Sequence, residues 1–182
     1  MTDRVFRPIA ALLAGAAAIG VNTTLLAGAD AVGLETAHGG LLRLLEDVAN
    51  EIAVRLGLAS WWGTAIVSVV SSAHFEFFFH VFVGLLMAVF YAYVAEPALI
   101  GRPWMKGLIC AVAVWMLNAI IVLPLIGEGL AGSRDLGAAG MIGFAAAHTS
   151  FFVLLAVLYA LLRNDWINTK IGKRTVRMSR PY

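Results

Sequence analysis

His74, Glu76 and His80 interrupt an otherwise apolar run, Ser72-Ala-His-Phe-Glu-Phe-Phe-Phe-His80-Val-Phe-Val-Gly84, and His148 interrupts another. Imidazole and carboxyl groups can ligate metal or haem iron, relay protons, or hydrogen-bond neighbouring helices. Ionisable groups cost free energy in hydrocarbon, so such residues are expected to face a bundle interior or a wet cavity. His80 and Glu76 are four residues apart and share one helix face. His74 lies six residues before His80, on a different face and nearer the helix end.

Three chemistries fit these residue types. Histidine and asparagine could bond helix to helix as packing glue, with Glu76 protonated or paired with a histidine. His80 and His148 could bind a haem b, or a metal ion with Glu76 as third ligand, with Gly84 leaving room one turn below His80. A buried carboxyl beside a histidine could also respond to pH and serve a small proton-linked transporter. Spacing alone does not choose among them.

The elements that must position these groups follow from composition. The chain has 182 residues, 61% hydrophobic and 13% charged, with mean hydropathy +0.87. Soluble domains run nearer 45–50% apolar and about 25% charged, so the chain reads as an all-α integral membrane protein of one domain. The single Cys110 excludes an intrachain disulfide and a CxxC motif, and its apolar setting suits an inert core thiol. No Gly-rich phosphate loop, GxSxG or HExxH pattern occurs.

Four stretches are long enough to cross about 30 Å of hydrocarbon. They cover about 9–27, 72–94, 104–125 and 138–162. Pro8 suits a first helical position, and Ala16-xxx-Gly20 suits close helix packing. Arg4 and Arg7, an apolar run and Ala27-Gly-Ala29-Asp-Ala31 also resemble a cleavable signal peptide. The second stretch could begin as early as Thr64. A tilt, a break near Ser71-Ser72 or a protruding turn would absorb the excess length.

Between the first two stretches, Leu41, Leu42, Leu44, Leu45, Val48, Ala49, Ile52, Ala53 and Leu56 recur at helical spacing among charged residues. This predicts an amphipathic helix over about 40–58, ending near Gly57. With two basic residues against three acidic ones, it should lie on the outer end of the bundle or on a partner.

The positive-inside rule places both termini in the cytoplasm. Arg4, Arg7, Arg102, Lys106 and six residues of a basic tail, 163–182, are then inside. Trp61, Trp62, Trp104 and Trp166 fall near the interfaces, Tyr91 and Tyr93 suit the inner one, and Glu96 is expected to pair with Arg102 in the short inner loop. The tail suits anionic lipid, and its few aromatics argue against nucleic acid. In this topology His80 and His148 each lie about 12 Å below the outer surface. Asn22 and Asn118 fall in the same half, so all four spans offer a polar group to one level.

A resemblance covers the second half. His80 is followed by Tyr91-Ala-Tyr-Val-Ala95-Glu96, then Trp104 with Gly107-Leu108, then Leu123-Pro124-Leu125 with Gly127, and finally His148 with basic residues behind it. Over about residues 72–165 the chain resembles the YagU-like family of small bacterial inner-membrane proteins. The resemblance implies an inner-membrane location and a role in acid resistance, and it carries over no catalytic residue. His80 and His148 match its pattern; His74 and Glu76 do not. The expectation is a non-enzymatic accessory protein in contact with lipid, with itself or with other membrane subunits. The haem- or metal-binding electron-transfer subunit and the transporter stand as alternatives.

Overall fold

The structure, a computed structural model, describes residues 3–36, 39–58 and 69–178, with side chains from Arg7 to Arg163 within them. Trp61, Trp62 and the stretch from Thr64 lie outside the described residues, as do the side chains of Trp166 and of the tail beyond Arg163. The chain is an all-α membrane-type bundle. Four helices are long and apolar enough to cross a bilayer, Arg7–Ala31, Ala73–Ala98, Pro103–Leu125 and Ala138–Arg163. We label α1 (Asp3–Ala31), α2 (Gly40–Arg55), α3 (Ala73–Ala98), α4 (Pro103–Leu125) and α5 (Ala138–Met178).

Boundaries differ from the expected ones for identifiable reasons. Pro8 lies inside α1 rather than at its start, because the helix already begins at Asp3. A break precedes α3: the Ser72 hydroxyl donates to Val69 O at 2.6 Å and accepts from the Phe75 amide at 3.3 Å, capping the new helix. The fourth span ends at Arg163, as expected, and the same helix continues through the basic segment to Met178.

α5 is the central element, packing along α1 on one side and α4 on the other, while α3 packs mainly on α1. The core between them is built of small residues: Ala10, Ala11, Ala14, Ala18, Ala88, Ala92, Ala111 and Ala156 surround Tyr91, Phe151, Phe152, Leu155 and Tyr159. Lipid tails are as apolar as leucine, so helix association in a membrane depends on such close backbone approach. A Cβ on Gly15 would come within 2.5 Å of Ala88 Cβ, and one on Gly107 within 2.5 Å of Phe152 O. The close-packing residue of α1 is thus Gly15, and the expected pair is displaced: Gly20 has nothing nearby and Ala16 faces outward. The large apolar side chains Leu13, Phe78, Phe82, Val112, Ile121 and Ile142 point away from the core, toward lipid.

α2 sits over one end of this bundle, as its pattern suggested. Gly40 packs on Leu123 and Ile126, and Leu42 and Ala53 are buried. Its end is a Schellman turn: Gly57 takes φ +70°, and the Leu58 amide donates to Ala53 O at 2.8 Å. We call this the α2 end, and the opposite one, which carries Arg7, Arg102, Lys106 and Arg163, the basic end.

Candidate functional site

Close contacts fix the register of the histidine level. In the antiparallel α1–α3 pair, Gly15 meets Ala88 and Gly84 meets Ile19. One turn further, Asn22 falls opposite His80 and Val81. On its other side Asn22 is buried, 4% exposed, and its amide donates to Ala147 O on α5 at 2.9 Å. Asn22, His80 and His148 therefore share one level of the bundle, as the sequence suggested. Asn118 does not. Opposing Gly107 to Phe152 puts Asn118 about two turns nearer the α2 end than His148. Its amide donates to Val114 O at 3.0 Å in its own helix, where a π-turn, Asn118–Val122, begins.

The level is packed rather than open. His148 is half-buried, with Nδ1 3.0 Å from Phe144 O and its ring edge-on to Phe144 at 4.4 Å. When Nδ1 carries the proton it donates to that carbonyl and leaves Nε2 as the acceptor. His80 is half-buried, and the space expected at Gly84 is filled by Ile19 of α1. α3 packs mainly on α1 and meets α5 at the basic end, through Tyr91–Tyr159 and Glu96–Arg163, rather than along the histidine level. Glu76 corrects the sequence expectation outright. It lies exposed in the first turn of α3, where a carboxylate suits the helix dipole, and not in the interior. His74 is exposed at the same helix end. No group of three or more His, Cys, Asp or Glu that could hold a metal occurs among the described residues, so a His80–His148–Glu76 metal site is not assembled.

A second constellation lies at the basic end. α3 passes through a π-turn, Tyr91–Ala95, before Glu96. Such turns add a residue to the helical register and often mark functional sites. Tyr91 turns inward, 1% exposed and edge-on to Tyr159 at 6.1 Å, rather than lying at the interface with Tyr93. Glu96 is not paired with Arg102, which is exposed. Its carboxylate meets Arg163 Nη1 at 3.1 Å and Lys106 Nζ at 3.5 Å, and Lys106 Nζ also donates to Glu96 O at 2.7 Å. These side chains, with Tyr91, Gly101 and Pro103, line a cavity of about 240 Å³.

The α2 end has its own ion pair. Glu128, 6% exposed, meets Arg43 of α2 at 2.6 Å, while its second oxygen is buried with no hydrogen-bond partner among the described residues. The loop presenting Glu128 is tightly wound, with left-handed backbone at Gly127, Gly129, Ala131 and Gly132.

Sequence reading passed over the Arg43–Glu128 pair and gave Glu96 to Arg102 rather than to Lys106 and Arg163. The signal available was that Glu96, Lys106 and Arg163 stand at the ends of three apolar stretches on the same side. No family model, curated protein or solved structure matches this chain. The YagU-like resemblance therefore rests on its short motifs alone.

Proposed function

We propose that this chain is a non-enzymatic accessory protein of a bacterial inner membrane, with both termini in the cytoplasm, acting as a subunit or stabiliser of a larger membrane assembly. The observation that favours packing over a ligand site at the histidine level is the Asn22 bond to Ala147 O beside His148. It makes the polar level a tie between α1 and α5, with Ile19 filling the space next to His80. Interhelical bonds of this kind are ordinary packing devices in membrane bundles. The basic end, with Arg7, Arg102, Lys106 and Arg163, faces the cytoplasm by the positive-inside rule. The acid-stress part of the reading comes from the YagU-like resemblance.

The test is purification of the full chain in mild detergent, with mass spectrometry of what accompanies it and an optical and metal analysis of the preparation. The reading expects a stoichiometric membrane-protein partner and no Soret band. A haem or metal at one per chain, lost in His80→Ala and His148→Ala, would replace it with the electron-transfer reading. Loss of survival at low pH on deleting the gene, restored by the wild-type chain, would uphold the acid-stress part; unchanged survival would remove it.

A further inference from the structure

We infer that the cavity at the basic end is a binding site for a phosphate oxyanion, of the kind carried by phospholipid headgroups. The inference is independent of the accessory-subunit role but rests on the cytoplasmic orientation proposed above, together with charge count, partial shielding and position.

Two cations, Lys106 and Arg163, converge on one carboxylate, Glu96. Their side chains are 14% and 32% exposed, and that of Glu96 is 16% exposed, so bulk water screens them poorly. One carboxylate offsets one of the two charges and leaves the cavity wall with a net positive charge. Donor capacity is likewise in excess. An ammonium offers three N–H donors and a guanidinium five. Glu96 takes two contacts from Lys106, on its backbone and side-chain oxygens, and one from Arg163. A guanidinium fork beside an ammonium matches the several acceptor oxygens of a phosphate better than it matches a single carboxylate.

Size and place narrow the ligand. About 240 Å³ is smaller than the ~300 Å³ lower limit of pockets for drug-sized molecules, so a compact charged group fits better than a nucleotide. The cavity lies at the common end of three spans, and Phe90, Tyr93, Ile100 and Trp104, next in sequence to residues that line it or within a few positions of them, are exposed. Tyr and Trp belong at headgroup level in a bilayer. Basic pockets between transmembrane helices on the cytoplasmic side are recognised sites for anionic headgroups. Glu96 then acts as a built-in competitor that holds the two cations when no phosphate is present.

The full chain, in nanodiscs of phosphatidylcholine with or without phosphatidylglycerol, is released for native mass spectrometry to count retained lipid. In detergent it is titrated separately with inorganic phosphate. One phosphatidylglycerol retained per chain identifies a lipid source, and saturable uptake of inorganic phosphate identifies a free one. Lys106→Gln and Arg163→Gln should each weaken the binding seen about fivefold, the effect of about one basic contact. Glu96→Gln should strengthen it by a similar factor, which a merely structural salt bridge would not do. Arg43→Gln, at the far end, should leave it unchanged. Should Lys106→Gln fail to fold, Lys106→Arg keeps the charge and should keep the binding. Absence of both lipid retention and phosphate uptake, or equal binding in the wild type, Arg163→Gln and Glu96→Gln, overturns the inference.

Discussion

The two ends of the bundle each place a shielded glutamate against cations, and they use it differently. At the basic end Glu96 joins three transmembrane helices, because its partners Lys106 and Arg163 come from α4 and α5. At the α2 end Glu128 binds one partner, Arg43, on a helix that does not cross the membrane. The same type of contact is a clamp between spans in one case and a catch for a surface helix in the other. What separates them is what surrounds the charge. The basic end continues directly into the alanine-rich core, where Gly15 and Gly107 bring backbones together. The α2 end has a smaller cluster, Leu123, Leu136 and Phe144, and leaves Leu41, Leu45, Val48 and Ile52 of α2 exposed.

This contrast can be broken most strongly through the core beside the clamp. Gly107→Val should force α4 off α5, since its Cβ meets Phe152 O; a cost of about 3 kcal/mol or more is expected in detergent unfolding. Retention of wild-type stability would mean the helices are not locked at this crossing. Glu96→Ala comes next. It leaves Lys106 and Arg163 facing each other in a poorly hydrated place, for an expected loss of about 2 kcal/mol, reduced from the fully buried case by the partial exposure of Arg163. The loss should be global, affecting all spans together.

Glu128→Gln should instead act locally, costing about 1 kcal/mol because Arg43 is half exposed. Hydrogen exchange over residues 40–55 should quicken while the four spans keep their protection. Equal loosening of α4 and α5 would show that Glu128, too, is part of the clamp. The smallest effect is expected at the histidine level. Asn22→Ala removes the bond to Ala147 O, and such interhelical bonds average about 0.6 kcal/mol in membrane proteins. A loss several times larger, measured in the same unfolding assay, would show that the level carries more than packing.

Much of this organisation could be read along the chain. Long apolar stretches announce their helices, because an unsatisfied backbone in lipid leaves few other structures. The Leu41–Leu56 periodicity announced α2, and Gly57 its end. The shared depth of Asn22, His80 and His148 followed from helical rise once the spans were set. The site was less legible. Glu76 and His80 share a helix face, yet four residues also separate an exposed helix start from a half-buried turn. Arg102 stands nearer to Glu96 in sequence than Arg163, yet Arg163 is its partner. The π-turn at Tyr91–Ala95 adds a residue to the helical register just before Glu96, and no residue pattern marked that turn beforehand.

The sequence by itself determined that this is a membrane bundle of four spans with an amphipathic helix, because hydropathy and periodicity are local properties that the bilayer reads directly. Only the tertiary structure decided which charges meet. Pairing depends on helix neighbours, on rotation about each axis and on close approach at Gly15, Gly84 and Gly107, and these are set by contacts between residues far apart in the chain. Hence Glu96 found Arg163 and Lys106, Glu128 found Arg43, and Ile19 came to fill the space beside His80.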